Sequence, residues 1–536
     1  MVRQSMKWIF NSMMVLAVMA CMTGCKDDDA PAPVTPEPEE PEVVEEPVKT
    51  AEELLSGIPN VTIIKDTLDV DGNTITYFYF EQPIDHTDAL AGIFKQYCAL
   101  HYKGPDHVTV LHTQGYSTAE PKDYKQLDLA PNLDANYIEV EHRYYKHSLI
   151  NFVEKVTDCT GDYWKVNTAA QSTADLHAIV TALKGTGCFK NKWVSTGVSK
   201  NGILTSLYAY YYPNEVDVYV PFCAPFCTGL ETKGIGEWLS QRSGMTDADG
   251  EVREQAWAAF RRIASDADLQ KEITDLYNQE YNSNYDVKRL TRYILYRYMS
   301  GMFYKFCYRN VSEWGVLIPR EDYNHSAEIY YRFAMLGKKD YFKNLKKLYQ
   351  VMSKEIDWGT IFENDDDSDY MIDDDEDFQM DAYSRRVAPL YMKLDDFLEG
   401  IYYVHAAKEL GYFLYDWSLL PEDYLTDENL EWFRNFQTCY RFIRKYGVTY
   451  DGGKLMNDFL DFVKNNRYKD KCKMIFIYGG YDPWTGAAIP DPDPNDPYVK
   501  KHIVPYGIHS GWINYEEQYS KEEKDWIMNA VREMLQ

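Results

Sequence analysis

Apolar positions along the chain follow two patterns, one typical of strands and one typical of helices. Short apolar runs rich in β-branched and aromatic residues predict strands, and apolar residues at helical spacing predict helices at 171–185 and 521–535. The predicted strands lie at 74–80, 93–100, 108–112, 137–141 and 216–220, and in the runs that begin at Trp193 and Met474. Strands alternating with a helix predict an α/β core.

The pattern changes between about residues 235 and 465. Long segments at 254–281, 287–306 and 390–417 carry apolar and aromatic residues at helical spacing. They predict a helical insertion at 235–465 between two parts of the core, 51–234 and 466–536. The many aromatic residues of the insertion are interpreted as helix core rather than as sugar-stacking platforms.

One turn in the core carries a candidate nucleophile. The run that begins at Trp193 leads into Gly-Val-Ser-Lys-Asn-Gly at 197–202, and a helix-like apolar run follows. A Gly-x-Ser turn between strand and helix is how α/β-hydrolases expose a reactive serine. We therefore predict an α/β-hydrolase fold with a large helical cap insertion, and Ser199 as the nucleophile. Asn201 replaces the usual glycine, and its tolerance of positive φ predicts that the turn is preserved.

Two residues near the end of the chain complete a catalytic set. The strand that begins at Met474 ends in a glycine turn that delivers Asp482, and His509 follows in Gly-Ile-His-Ser-Gly. Serine, aspartate and histidine in this order are typical of α/β-hydrolases. His142 precedes the serine, which predicts a structural or substrate-lining role for it.

Backbone amides are the candidate oxyanion donors. The amide of Lys200, directly after the nucleophile, is one donor, and the loop after strand 108–112 supplies the second. We predict the amide of Gly115 or Tyr116 for that second position. An ordinary glycine turn is the alternative.

The N-terminal segment predicts export. Arg3 and Lys7 precede an apolar run at 8–20 that is too short to span a membrane. Met-Thr-Gly-Cys at 22–25 resembles a lipoprotein cleavage site, which predicts a signal peptide at 1–24 and lipidation of Cys25. Lys-Asp-Asp-Asp at 26–29 resembles an export tag of surface lipoproteins, so we expect an outer-membrane anchor, and the tag favours an outward-facing position. Ordinary secretion is the alternative.

Residues 25–50 predict a disordered tether, because they are rich in Pro and Glu and poor in apolar side chains. The chain carries a net charge of −28, with 84 acidic against 56 basic residues. The absence of a basic run argues against a nucleic-acid partner. The oligomeric state stays open.

The cysteine and acidic residues of the chain bear on possible disulfides and metal sites. Eight of the 10 cysteines remain after Cys21 and Cys25 are set aside, which permits disulfides without fixing their pairing. No spacing predicts zinc, and no cofactor is predicted. The acidic stretch 363–377 resembles a calcium loop, but Tyr370 occupies the position that needs glycine, which favours a solvated loop.

Several short motifs together resemble one enzyme family. They are Gln-Pro-Ile-Asp-His at 82–86, Glu-His-Arg-Tyr-Tyr at 141–145, the Ser199 turn, Glu-Leu-Gly-Tyr at 409–412 and Asp-Pro-Trp at 482–484. Over about residues 60–536 the chain resembles the serine exopeptidases related to lysosomal Pro-Xaa carboxypeptidase and dipeptidyl peptidase II. Lys200 after the serine, and the run 223–227, are closer to the secreted bacterial tripeptidyl aminopeptidases.

That resemblance implies an exopeptidase acting on short peptides from a free N-terminus. It implies that an acid holds the substrate ammonium, for which Glu409 is the candidate, with a surface helix charge as the alternative. Trp484 is predicted to bind substrate. Asn201 and Ser510 differ from the Pro-Xaa enzymes, so a proline preference is not carried over.

Three other functions stay open at this stage. They are a Pro-Xaa-type carboxypeptidase, an esterase or lipase on the same fold, and a non-catalytic nutrient-binding surface lipoprotein. Charges interspersed through the insertion favour peptides over lipids, and a complete Ser-Asp-His set favours an enzyme.

Overall fold

A computed structural model describes most of the chain after residue 48. The described residues are 49–69, 72–118, 124–150, 162–241, 247–307, 327, 330–331, 334, 401–411, 415–436, 447–511, 513–514 and 519–536. They lie in one compact unit, Val48–Gln536. Cys25, the signal peptide, nearly all of the predicted tether, the acidic stretch 363–377 and Tyr412 fall outside the described residues.

A nine-stranded sheet forms the core, with the strand order β1-β2-β3-β5-β4-β6-β7-β8-β9. The first three strands and β5 pair antiparallel, whereas the neighbours from β5 through β4 to β9 pair parallel. The strands are β1 Val61–Leu68, β2 Thr74–Pro83, β3 Ile93–His101, β4 Thr109–Thr113, β5 Asn136–Val140, β6 Trp193–Val198, β7 Val218–Phe222, β8 Lys473–Gly479 and β9 Val499–Val504. The predicted α/β-hydrolase class is confirmed.

Helices cover both faces of this sheet. The described helices are α1 Ala51–Leu55, α2 Ala169–Gly185, α3 Lys200–Tyr211, α4 Lys233–Gln241, α5 Asp247–Ser265, α6 Ala267–Tyr281, α7 Val287–Cys307, α8 Asp427–Phe436, α9 Lys454–Lys464 and α10 Lys521–Leu535. Leu111 and Trp193 share one buried cluster with α2, α3 and α9. Their strand neighbours Val110 and Val194 share the other with α10, because successive side chains of a strand point to opposite faces.

The described part of the insertion is helical, as predicted. Helices α4 to α8 contribute to a separate, aromatic-rich buried cluster, in which the ring of Trp417 stacks on Phe433 at 3.8 Å. These aromatic side chains are therefore core residues. The stretch predicted as one helix at 254–281 is two, because Asp266 caps α6 by accepting from the amide of Leu269 at 3.0 Å. Helix α9 lies within 235–465 but packs under the sheet.

A buried ion pair joins two of the sequence motifs. Arg143 is fully buried, and its Nε and Nη2 donate to the carboxylate of Asp175 at 2.8 and 2.7 Å. Its Nη1 donates to the carbonyl of Ile84 at 3.0 Å, and His86 Nε2 lies 2.7 Å from Asp175 Oδ1. A bidentate pair of this kind is geometrically specific. The motifs at 82–86 and 141–145 therefore attach the antiparallel edge of the sheet to α2.

Five cysteines of the described chain are buried and free, namely Cys98, Cys188, Cys223, Cys227 and Cys472. Within the part of the chain that the structure covers, no helix is both long enough and apolar enough to cross a membrane.

Two glycines with nearly the same φ test how tightly the insertion is joined to the core. Gly411 has φ +66°, and a Cβ added there would lie 2.1 Å from the carbonyl oxygen of Cys227. Gly187 has φ +68° and nothing within 4 Å of such a Cβ. We expect Gly187→Ala to cost about 1–2 kcal/mol for its left-handed φ, and Gly411→Ala to cost about 1–3 kcal/mol more from the clash. Urea unfolding measures both losses, and equal losses would contradict the close packing.

Candidate active site

The turn between β6 and α3 holds Ser199 in a backbone conformation that residues with a side chain rarely adopt. Its φ is 60° and its ψ is −123°, a strained combination of the kind found at functional sites. The amide of Ser199 donates to the carbonyl of Phe222 at 2.9 Å, and the carbonyl of Ser199 accepts from Ile203 at 2.9 Å. Small residues are required beside it, because a Cβ on Gly197 would lie 2.7 Å from Asn201, and one on Gly202 would lie 2.6 Å from Phe222.

The predicted acid and histidine form a pair. Asp482 follows β8 and is fully buried, whereas His509 follows β9 and its side chain is 13% exposed. Asp482 Oδ2 lies 2.6 Å from His509 Nδ1, and Asp482 Oδ1 accepts from the amide of Trp484 at 3.0 Å. A carboxylate that accepts at Nδ1–H leaves Nε2 of the imidazole available to act as a base.

Parallel strands bring these groups to one edge of the sheet. Ser199, Asp482 and His509 follow the carboxyl ends of β6, β8 and β9, which belong to one parallel set. The carboxyl edge of a parallel sheet is where α/β proteins place their sites. The structure therefore brings the three residues of the predicted catalytic set to the same edge.

Cys223 is a member of this site that the sequence analysis missed. It follows β7, between the nucleophile and acid strands, with φ 48°. Its Sγ lies 3.7 Å from the carbonyl oxygens of Ile508 and Ser510. Burial raises the pKa of this thiol well above its usual range, and the charge of Asp482 raises it further. The position of Cys223 at a strand end between the two catalytic strands was the signal that could have found it.

Cys223, Asp482 and His509 are also the candidate metal-ligand group in the described residues. Their possible ligand atoms lie within 4.8 Å of one another. Hydrogen bonding to Asp482 from the imidazole and from the thiol accounts for this closeness. The three residues are therefore interpreted as a hydrogen-bonded group around the acid.

The loop after β4 corrects one predicted oxyanion donor. The amide of Gly115 donates to Asn201 Oδ1 at 2.6 Å, so this amide is already occupied. Tyr116 is left as the candidate from the loop, and its carbonyl accepts from the amide of His142 at 3.1 Å. The amide of Lys200 opens α3, where the first amides of a helix have no partner within the helix.

Asn201 does not have the role that the sequence suggested. It lies in the first turn of α3, and the positive φ of the turn falls on Ser199. The turn is preserved as predicted, but the tolerance of Asn201 for positive φ is not the reason, because this position is helical. Its carboxamide instead contacts the loop that carries Gly115.

Glu409 is neither a surface charge nor a simple free acid. It lies in the π-helical turn Ala406–Leu410, and its side chain is 15% exposed. Its Oε1 accepts from the amide of Ala169 and lies 2.9 Å from His405 Nε2. Burial raises the pKa of this carboxyl to about 7, although the Ala169 amide, Lys408 and Lys200 oppose the shift.

Trp484 and His142 are the other two residues singled out from the sequence. The ring of Trp484 is 6.1 Å from the ring of His509 and 5.5 Å from Phe303 of α7, between His509 and the insertion. His142 is buried, with Nδ1 2.8 Å from the carbonyl oxygen of Arg143 and Nε2 3.0 Å from Ser172 Oγ. These contacts are those of a structural residue.

Comparison with known proteins finds similarity to serine peptidases. A family model described as PS-10 peptidase S37 matches residues 42–276, a range that contains Ser199. The prolyl tri/tetrapeptidyl aminopeptidase of Streptomyces mobaraensis is 27% identical over 146 residues. Over this part, the chain is similar to tripeptidyl aminopeptidases of the serine peptidase class. The predicted resemblance is thus confirmed, and the match spans 27% of this chain and 28% of the Streptomyces protein.

Solved structures also resemble the chain at low identity. Proline iminopeptidase of Mycobacterium smegmatis is 12% identical with a TM-score of 0.33, covering 85% of this chain and 99% of that chain. A putative aryl esterase of Burkholderia cenocepacia is 11% identical with a TM-score of 0.29, covering 88% and 98%.

The strained turn predicts that glycine at position 199 removes activity but gives a more stable protein than alanine does. Ser199→Ala should lower peptide hydrolysis by several orders of magnitude and leave the fold intact, because it removes the nucleophile alone. Ser199→Gly should be equally inactive but about 1 kcal/mol more stable than Ser199→Ala, since glycine adopts this backbone without strain. Turnover and thermal unfolding of both variants measure this. Activity of Ser199→Ala within a few-fold of wild type would remove Ser199 as nucleophile, and equal stabilities would contradict the strain.

Proposed function

We propose that the chain is a serine exopeptidase that releases dipeptides or tripeptides from the free N-terminus of short peptides. The observation that carries the proposal is the strained Ser199 turn on the same sheet edge as the Asp482–His509 pair. The relationship to the S37 peptidases and to a protein named as a tri/tetrapeptidyl aminopeptidase supports a peptide bond as the substrate.

In the proposed reaction, His509 Nε2 takes the proton of Ser199 Oγ as the oxygen attacks the scissile carbonyl. Asp482 holds the imidazole through Nδ1 and stabilises its positive charge. The tetrahedral oxyanion accepts hydrogen bonds from the amides of Lys200 and Tyr116, each worth about 3–4 kcal/mol. His509 then protonates the leaving amine, and a water molecule, deprotonated in turn by His509, hydrolyses the acyl-enzyme.

Release of short peptides requires a boundary at a set distance from Ser199. The triad chemistry is indifferent to chain length, so the limit must come from the insertion. Glu409 is the acid that we propose for the substrate ammonium. Both hydrogen bonds described above use its Oε1, which supports Oε2 as the proposed acceptor for the substrate ammonium. Its π-helical turn supports this role, since such turns are frequent at functional sites.

The pKa of Glu409 makes the proposal testable by pH. A carboxyl with a pKa of about 7 is charged only above that value, and a peptide amino group loses its proton above about pH 8. Attraction between the two groups should therefore be strongest between about pH 7 and 8. We expect the ratio of kcat/KM for a free tripeptidyl reporter to that for its N-acetyl form to peak in this interval.

Glu409→Gln should lower that ratio about tenfold or more and flatten its pH dependence, because remote binding energy positions the scissile bond. Glu422→Gln, which changes an exposed acid elsewhere in the insertion, is the matched control and should behave as wild type. Equal wild-type rates on free and acetylated reporters would exclude an aminopeptidase and favour the carboxypeptidase or esterase alternatives. A wild-type preference that Glu409→Gln leaves unchanged would place the ammonium site at another residue.

We further propose that the protein is exported and anchored to the outer membrane through lipid on Cys25. The sequence Met-Thr-Gly-Cys at 22–25 and the tether that follows it support this proposal. Cys25→Ala should move the protein from the membrane fraction to the soluble fraction with unchanged kcat/KM, because the enzyme begins after the tether. Retention of Cys25→Ala in the membrane fraction would show that Cys25 is not the anchor.

A further inference from the structure

We propose that the side chains of Lys200 and Asn201 are positioning residues that hold the loop 114–116 against the nucleophile helix as the second wall of the oxyanion hole. The inference rests on the proposed serine-hydrolase mechanism. It assigns a role to the two residues that directly follow the nucleophile.

The carboxamide of Asn201 is bonded at both ends to the loop. Its Oδ1 accepts from the amide of Gly115 at 2.6 Å, and its Nδ2 donates to Gln114 Oε1 at 2.9 Å. The two bonds require the same orientation of the carboxamide, because only its oxygen accepts and only its nitrogen donates. The glycine found here in the usual motif lacks both groups, so the substitution adds this attachment.

The attachment continues into the buried part of the sheet. Gln114 Nε2 donates to Glu139 Oε1 at 2.5 Å and lies 3.3 Å from His112 Nδ1. Thr113 Oγ1 donates to the carbonyl of Asn201 at 2.9 Å. Strand β4, strand β5 and the start of α3 therefore determine together where the loop lies.

Lys200 holds the same loop by a different interaction. A Cβ on Gly115 would lie 2.8 Å from Lys200 Cγ and 2.9 Å from Lys200 Cδ, so the lysine stem occupies the space that the glycine leaves open. The side chain is almost fully buried. Among the residues that the structure describes, its Nζ has no hydrogen-bond partner, and burying the charged form of an amine without one is unfavourable.

Aromatic rings surround that ammonium. Lys200 Nζ lies 5.3 Å from the ring centres of Tyr116 and Tyr145 and 5.6 Å from that of Tyr402. Tyr116 belongs to the loop, Tyr145 follows β5, and Tyr402 belongs to the insertion. Burial lowers the pKa of Lys200 well below its usual range, and the charge of Glu409 opposes that shift. Aromatic faces attract a desolvated ammonium, so the contacts of the Lys200 head group with these rings join three segments around the loop.

The expected kinetic signature follows from when the oxyanion forms. Donors that meet the developing oxyanion act mainly in the transition state, so a displaced loop lowers kcat and leaves KM nearly unchanged. We expect Asn201→Ala to lower kcat about 10- to 100-fold on a tripeptidyl reporter, with KM within about threefold. Lys200→Met keeps an apolar stem without the charge, and should lower kcat about tenfold. A peptide boronate, which mimics the tetrahedral state, should bind each variant more weakly by the factor lost in kcat.

The control is Ser206→Ala, which removes a buried hydroxyl that donates to Gly202 within α3 and should leave kcat unchanged. Gln114→Ala combined with Asn201→Ala should lose less than the product of the single losses, because both residues act through one attachment. Full kcat in Asn201→Ala and Lys200→Met, a change in KM alone, or an equal loss in Ser206→Ala would overturn the inference. Parallel assays with a small ester separate the two proposals. A wild-type protein that cleaves the ester but no peptide would contradict the proposed peptidase function and leave the positioning role of Lys200 and Asn201 to be judged from the ester assays.

Discussion

The backbone of Ser199 is the constraint on which the rest of the site depends. A backbone at φ 60° and ψ −123° is unfavourable for a residue with a side chain. This conformation persists only because the surrounding structure leaves the chain no other path. The amide is held by Phe222 of β7, and the adjacent glycines allow β6, β7 and α3 to approach within van der Waals contact. The sheet thus supplies the free energy that keeps the nucleophile exposed at its carboxyl edge.

The same close approach places the first two side chains of α3 against the loop after β4. Helix α3 begins directly under the loop after β4, so its first two side chains cannot reach solvent without displacing that loop. Lys200 fills the space beside Gly115, and Asn201 uses the loop amide that a glycine would leave unbonded. The geometry therefore couples the two residues that follow Ser199 to the loop after β4.

Charge inside the site is distributed so that few groups are ionised without compensation. Asp482 is fully buried but accepts from His509 and from the amide of Trp484. Glu409 has a raised pKa because it is desolvated, and the nearby Lys200, whose pKa is lowered by burial, is surrounded by tyrosine rings. Low dielectric strengthens each of these interactions, which fits the proposed stabilisation of a transient anion and the proposed binding of a substrate ammonium.

Sequence alone determined the strand and helix vocabulary, the Gly-x-Ser turn at Ser199, and the order of Asp482 and His509, because these depend on local periodicity and on residues close in the chain. It also predicted the last helix, 521–535, with the bounds that the structure shows. The contacts of Gly115 with Asn201, of Cys223 with Asp482 and of Lys200 with three tyrosines were decided only by tertiary structure. Those residues lie on different strands and loops, and no periodicity records which strand ends become neighbours when a parallel sheet assembles. The burial of Glu409 follows the same rule, since its partner Ala169 is 240 residues away in the chain.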